Sequence, residues 1–205
     1  MSRFLVPGWK FIDRSGPTKQ LIVVGYPHTA RWDFVLAQAT RLRKRRDMLS
    51  LLAEPEFRGI RGAAFRAIGC MPVPVDRGLG LVDQVLQILA RKTETSLGIC
   101  PEGGIEWKPE WRTGYWVIGV ITKIPVCYVS FDYPQRLVVL HEPVTLTGDP
   151  EADLAYARTL YNPATAMRPQ EAGEIAFAPT WRPDLARLAQ QREAWAFAKR
   201  STSGN

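Results

Sequence analysis

The segment from Gly25 to Phe34 contains two side chains whose chemistry and spacing suit proton transfer. His28 and Asp33 are separated by four residues, where a strand predicted over residues 21–24 gives way to a helix predicted over residues 30–43. The partial positive charge of a helix N-terminus disfavours an imidazolium ion, so we expect a neutral His28 ring that can accept a proton. Asp33 follows about one helical turn later, where it can orient that ring and stabilise its charge. The pair is typical of a catalytic dyad.

The same pair also has a purely structural interpretation. Thr29 is a suitable N-cap, which would place Asp33 in the first helical turn. An acidic side chain is favoured there because it complements the helix dipole. His28 would then be a loop histidine without a chemical role, so the choice depends on other polar clusters.

The predicted elements alternate between strands and helices. This alternation is typical of a three-layer α/β domain with a largely parallel sheet flanked by helices. Extended segments are predicted at residues 21–24, 48–53, 71–75, 97–100, 124–131 and 137–140. Helices are predicted at residues 30–43, 57–68, 81–90, 113–122, 151–160 and 183–200. The chain, residues 1–205, is predicted to be one domain in which residues 163–205 form a C-terminal extension.

Two of these predictions concern how elements meet the rest of the domain. The two prolines in residues 71–75 exclude a helix and favour an edge strand or an irregular one. In the helix predicted over residues 57–68, Ile60, Ala64 and Ile68 share one face. That shared face is the one expected to pack against the domain.

Three polar clusters follow the carboxyl ends of predicted strands. They are His28, the pair Asp76-Arg77 and the tripeptide Pro101-Glu102-Gly103. The carboxyl ends of parallel strands lie along one edge of the sheet, where α/β proteins bind ligands. We therefore expect clusters far apart in sequence to converge on one site.

Positive charge is concentrated in the N-terminal half of the chain. Residues 1–100 carry 16 basic and 8 acidic side chains, whereas residues 101–205 carry 11 and 12. Much of the excess is the run from Arg41 to Arg46. Such a run can attract an anionic membrane, an acidic carrier protein, a phosphorylated cofactor or nucleic acid. A solvated helix end is the alternative, since cations are favourable there.

Composition narrows the class of protein. The cysteines Cys70, Cys100 and Cys127 lack the paired spacing of a zinc or redox site and read as reduced thiols of a cytoplasmic protein. No apolar stretch reaches the roughly 20 residues that span a bilayer, and no signal peptide is recognised. No helix-turn-helix, zinc or RNA-binding signature is present, so a nucleic-acid partner is not expected.

Two further segments are rich in large apolar side chains that can either pack as core or face lipid. In residues 107–116, aromatic residues recur every four positions beside basic ones. The helix predicted at residues 183–200 has an amphipathic face for docking or for a membrane interface. The residues concerned are Trp107, Trp111 and Tyr115 in the first segment and Leu185, Leu188 and Trp195 in the second.

With its clusters in this order, the chain resembles the glycerol-phosphate and lysophosphatidate acyltransferase family over roughly residues 20–150. The first block of the resemblance is His28 to Asp33, a histidine and an aspartate separated by four residues. The second runs from Gly69 to Arg77, the third is Pro101-Glu102-Gly103, and the fourth is Ile124-Pro125-Val126. The order and spacing of the four blocks carry the resemblance.

The resemblance implies an enzyme in which His28, oriented by Asp33, deprotonates a hydroxyl of a lipid or lysophospholipid-like acceptor. That oxygen would attack the thioester of acyl-CoA or acyl-carrier protein, with Arg77, Glu102 and Gly103 binding the acceptor. Neither a bound cofactor nor a metal is expected. No acyl-enzyme is implied either, in agreement with the absence of a Gly-x-Ser-x-Gly motif. The implied setting is phospholipid biosynthesis in the cytoplasm, peripheral at the inner membrane face.

The chain departs from the family in two blocks. Gly104 and Ile105 stand where members usually have threonine followed by arginine or serine, and residues 69–77 are about two residues longer than usual. Losing an arginine removes a preferred phosphate contact, so the acceptor is not identified by the resemblance. An amine acceptor stays open. A non-catalytic basic module that binds acidic membrane lipid is the alternative from another class.

Overall fold

The computed structural model describes residues 6–73 and 80–203. In these ranges the strands are β1 (Lys10–Asp13), β2 (Ile22–Tyr26), β3 (Met48–Ala53), β4 (Cys70–Val73), β5 (Ser96–Ile99), β6 (Val126–Asp132) and β7 (Leu137–Leu140). The α-helices are α1 (Arg31–Lys44), α2 (Gly59–Ala67), α3 (Leu81–Arg91), α4 (Gly114–Thr122), α5 (Pro150–Leu160) and α6 (Leu185–Ser203).

All of the described strands belong to one sheet with the order β1-β7-β6-β2-β5-β3-β4. The five strands from β6 to β4 run parallel to one another, whereas β7 is antiparallel to β6 and pairs in parallel with β1. The predicted α/β class with a largely parallel sheet is therefore confirmed. β4 lies at the sheet edge, where the prolines of its sequence predicted it.

Side chains of the central strands alternate between two apolar cores, one on each face of the sheet. Ile22, Val24 and Tyr26 of β2 pack into a core shared with α3, α4, α5 and α6. Leu21 and the α1 residue Leu36 belong to the other core, on the opposite face. This division follows from the period-two alternation of a strand and produces the three layers.

α2 packs through a face that the sequence did not predict. Ile60 is 91% exposed, and Ala64 and Ile68 are exposed too, so the prediction that these three face the domain is wrong. The contact is made instead by Gly62, where an added Cβ would lie 2.0 Å from the Phe57 carbonyl oxygen, and by Phe65, whose ring meets that of Phe57. Close approach at a glycine rotates the helix and leaves its apolar stripe outside.

The C-terminal helix docks on the domain. Leu188 and Trp195 of α6 are buried against the core shared with α3 and α4, while Leu185 is exposed. Of the two interpretations of this helix, docking is the one observed for those two side chains. No helix in the described ranges is long and apolar enough to cross a membrane.

Candidate active site

His28 and Asp33 lie at the carboxyl edge of the parallel strands, between the end of β2 and the first turn of α1. The Asp33 carboxylate is buried, and its Oδ2 atom accepts hydrogen bonds from the backbone N–H groups of Thr29 and Ala30, both at 2.8 Å. The same oxygen lies 3.2 Å from His28 Nδ1. Asp33 thus folds the loop around itself and holds the imidazole against a buried negative charge.

The N-cap of α1 is Ala30, not Thr29. Ala30 has no side-chain acceptor, so the Asp33 carboxylate reaches back to its N–H group. The Thr29 hydroxyl is used elsewhere, accepting from the Arg168 N–H at 3.2 Å. Asp33 is therefore more than an acid beside a helix dipole, because it binds two backbone donors and the histidine together.

The second oxygen of Asp33 has its own partner, which the sequence did not reveal. Tyr133 lies in the turn between β6 and β7, and its hydroxyl donates a hydrogen bond to Asp33 Oδ1. Burial first, and then Asp33, raise the pKa of Tyr133, so the phenol stays a donor. Its ring packs edge-on against Trp9 with centroids 5.1 Å apart. The carboxylate is thereby fixed from both sides.

The far side of the His28 ring carries its second nitrogen, Nε2. With Nδ1 donating to Asp33, the Nε2 lone pair is free to accept a proton, and no side chain or backbone group of the described ranges is hydrogen-bonded to Nε2. The imidazole is partly exposed, and His28 lies at the sheet edge where ligands of α/β proteins bind. The arrangement meets the geometric requirements of a general base.

Glu102, which follows β5, is also brought to His28, but through the backbone. Its buried carboxylate accepts from the His28 N–H at 2.6 Å and from the Gly173 N–H at 3.0 Å. Burial raises its pKa to about 7, although both hydrogen bonds oppose the shift. These contacts position the histidine loop. Direct binding of an acceptor by Glu102 stays a prediction.

Gly103 occupies a position that no other residue fits without strain. Its φ angle is +71°, and an added Cβ would lie 2.4 Å from Arg112 Nε. Arg112 also donates its backbone N–H to the Pro101 carbonyl at 2.8 Å. The exposed side chain of Arg112 thus packs on the loop that contains Gly103. Arg77 lies outside the described residues.

The C-terminal extension closes one side of this site. Tyr26 donates its hydroxyl to the Gly173 carbonyl at 2.7 Å, while the N–H of the same glycine binds Glu102. An added Cβ on Gly173 would lie 2.6 Å from the Lys108 carbonyl oxygen, so a glycine allows this approach. This contact was not predicted from the sequence, because residues 163–182 have no regular apolar pattern.

The aromatic segment after Gly103 divides between core and surface. Trp111 and Tyr115 are buried in the core under α4, whereas Trp107 is exposed beside the site loop. For Trp111 and Tyr115 the core interpretation therefore holds, and for Trp107 it does not.

Cys100, which follows β5, is a poor candidate for a nucleophile. Burial raises the pKa of the Cys100 thiol, and the charges of Glu102 and Asp33 raise it further. A thiol held protonated is a poor nucleophile. In the described part of the chain no three His, Cys, Asp or Glu side chains are grouped as metal ligands.

The basic run at the other end of α1 ties the helix to its surroundings. Arg41 donates to the Ile68 carbonyl at 2.6 Å, Lys44 forms an ion pair with Asp13, and Arg46 donates to the Thr18 carbonyl at 2.7 Å. These three side chains are not a freely solvated helix end. Their charges are directed at the protein's own polar groups.

No protein-family model, curated protein or solved structure matches the chain. Inferences about function therefore start from the geometry around His28 and from the four sequence blocks.

Proposed function

We propose that the protein is an acyltransferase that moves an acyl group from acyl-CoA or acyl-carrier protein to a hydroxyl of a lipid or lysophospholipid-like acceptor. The observation that carries the proposal is the Asp33 carboxylate, which is saturated by Thr29, Ala30 and Tyr133 and still contacts His28 Nδ1. An acid that only caps a first helical turn does not need contact with a histidine ring. A histidine that becomes charged when it accepts a proton does need a buried carboxylate beside it.

In the proposed reaction, His28 Nε2 removes the proton from the acceptor hydroxyl as its oxygen attacks the thioester carbonyl. The carbon–sulfur bond then breaks, and the imidazolium returns the proton to the departing thiolate. The products are the acyl ester and a free thiol. Asp33 stays ionised and stabilises the imidazolium between these two steps.

Three features of the site support direct transfer to the acceptor. The Cys100 thiol is held protonated, and the chain has no Gly-x-Ser-x-Gly nucleophile motif. Arg112 offers a guanidinium beside Gly103, which suits a phosphate of an acceptor or of CoA and supplies a charge that Ile105 lacks. Arg77, Glu102 and Gly103 are the acceptor-binding residues that the family resemblance implies.

The decisive experiment exploits the presence of only two histidines in the chain, His28 and His141. Purified wild type, His28→Gln and His141→Gln are incubated with labelled acyl-CoA and a lipid and metabolite extract, and acylated products are identified by mass spectrometry. We expect transfer to fall by about 10²- to 10⁴-fold in His28→Gln only. His141 is the matched control, because its ring is hydrogen-bonded to Ser130 Oγ at 2.6 Å and does not contact Asp33.

The outcome separates the proposal from related chemistries. Equal transfer by wild type and His28→Gln would disprove the mechanism. Release of free thiol without acylated product identifies a thioesterase, and an acyl amide identifies an amine acceptor. A folded protein that binds acidic lipid with no turnover is the non-catalytic module.

A further inference from the structure

The outer face of α1 and α2 combines exposed apolar side chains with arginines. Ile60 is 91% exposed, Trp32 45%, and Val35 and Ile68 38% each. We call these four residues the α1–α2 face. Apolar side chains of this size are normally scattered singly, so three on these helices and a fourth, Ile68, directly after α2 indicate an interaction surface.

Contacts between the neighbours of these residues bring the starts of α1 and α2 close together. The Phe34 ring of α1 meets the Phe65 ring of α2 with centroids 5.6 Å apart. Glu56, in the turn before α2, lies 3.6 Å from the Arg31 guanidinium and 3.9 Å from that of Arg61. The first turns of the two helices are therefore close to each other, and both helices begin at the carboxyl edge where His28 lies.

The charges around this face are predominantly positive. Arg31 precedes Trp32, Arg58 and Arg61 are within two residues of Ile60 in sequence, and α2 ends with Arg66 in its last turn and contains no acidic residue. Glu54 and Glu56 are the acids of the preceding turn, and Glu56 is shared by two of the arginines. Indole and aliphatic side chains with arginines at their margin suit the headgroup region of an anionic membrane.

We propose that the α1–α2 face docks the protein on an anionic phospholipid bilayer and brings the His28 site to lipid acceptors. Ile60 and Trp32 enter the headgroup region, while Arg58 and Arg61 pair with lipid phosphates. The proposal extends the proposed function, but it is tested by binding alone. It can therefore fail while acyl transfer stands, and the reverse.

The test is co-sedimentation of the full-length protein with two kinds of vesicle, phosphatidylcholine alone and a mixture containing roughly a third phosphatidylglycerol. The double variant Trp32→Ser/Ile60→Ser removes the apolar contacts. Its matched control is Leu185→Ser/Phe197→Ser, which alters two exposed apolar residues of α6 on the opposite face of the sheet.

We expect wild type and the α6 control to bind the anionic vesicles, and Trp32→Ser/Ile60→Ser to bind them at least about tenfold more weakly. Arg58→Gln/Arg61→Gln should lose most of the preference for anionic over neutral vesicles and most of the salt sensitivity. Acyl transfer to a short-chain, water-soluble acceptor should be unchanged in all of these variants.

Three results would overturn the proposal. One is wild type that fails to bind anionic vesicles, and another is an α6 control that loses as much binding as the α1–α2 variant. The third is an α1–α2 variant that keeps vesicle binding but no longer binds an acidic carrier protein. That result would make the face a protein interface.

Discussion

The two ends of α1 bind opposite kinds of backbone group. At the N-terminal end a carboxylate accepts hydrogen bonds from backbone N–H groups, whereas at the C-terminal end arginines donate to backbone carbonyl groups. Asp33 binds the N–H groups of Thr29 and Ala30. Arg41 and Arg46 bind carbonyls that belong to other segments. Each end places the charge that complements the helix dipole, and each ties the helix to its surroundings.

The two ends differ in what remains after those contacts are made. The side chains of Arg41, Lys44 and Arg46 are paired with polar groups of the protein itself. Asp33 also holds the ring of His28 through Nδ1, which leaves the ring's second nitrogen outside this contact. A run of charge is therefore a weaker indicator of chemistry than a single buried charge that orients a second ionisable group.

The largest effect on turnover is expected from the substitution Asp33→Asn at the N-terminal end of α1. The amide keeps the size of the side chain but loses the charge that stabilises an imidazolium, so we expect the turnover rate to fall by about 10²-fold or more. Thermal unfolding should show that the variant remains folded. A variant with wild-type turnover would reduce Asp33 to a helix-capping residue.

A second test concerns Glu102, the other buried acid near His28. Its pKa in the folded protein is raised from 4.5 to about 7, so the folded state holds the proton more tightly than the unfolded chain. The resulting stabilisation is present below pH 4.5 and is lost as the pH rises through about 7.

Glu102→Gln removes this titration. The free energy of unfolding of wild type relative to the variant should fall by on the order of 2 kcal/mol across that pH window. Denaturant titrations at both ends of the window measure the difference. Parallel pH profiles for the two proteins would show that Glu102 ionises normally in the fold.

The contribution of Tyr133 is expected to be smaller. Tyr133→Phe removes the donor to Asp33 Oδ1 and leaves the ring against Trp9. The loss of a hydrogen bond to a charged group should slow turnover by about tenfold and leave the KM of the acceptor unchanged. Tyr156→Phe, at a partly exposed position on α5, is the control. An altered KM with unchanged turnover would contradict a positioning role.

The smallest effect is expected at the C-terminal end of α1. Arg46→Gln removes charged hydrogen bonds to the carbonyls of Thr18 and Lys19, at 2.7 and 3.0 Å. We expect a loss of about 1 kcal/mol in the free energy of unfolding and no change in turnover per folded molecule. A large loss of turnover with intact stability would mean that the basic run is part of the catalytic machinery.

Local pattern was sufficient for most of the fold and for the dyad. The strand predicted at residues 48–53 has the observed bounds, since all of its side chains except that of Ser50 are apolar. β1 was missed, because three of its four residues are exposed and no apolar pattern marks it. The apolar stripe of α2 was predicted to be buried, but the steric demand at Gly62 decided its orientation.

In the site, the predicted neighbours are either close along the chain or at the ends of neighbouring strands. His28 and Glu102 are 74 residues apart, and their approach was expected because both follow strand ends. His28 and Asp33 are close in sequence, so a helix start alone brings them together. Tyr133 is 100 residues from Asp33, and Gly173 is 71 residues from Glu102. No local pattern specifies such pairs, because they form only when separate loops are packed by the sheet.

These long separations determine when the site can exist during folding. The Tyr26 hydroxyl meets the Gly173 carbonyl across 147 positions, and Thr29 meets Arg168 across 139. A nascent chain that ends before residue 163 already contains His28, Asp33 and Glu102, yet it lacks the Gly173 N–H that Glu102 binds. Contacts of this span form late, because a long loop must close first. The site is therefore expected to form only after residues 163–182 have packed against it.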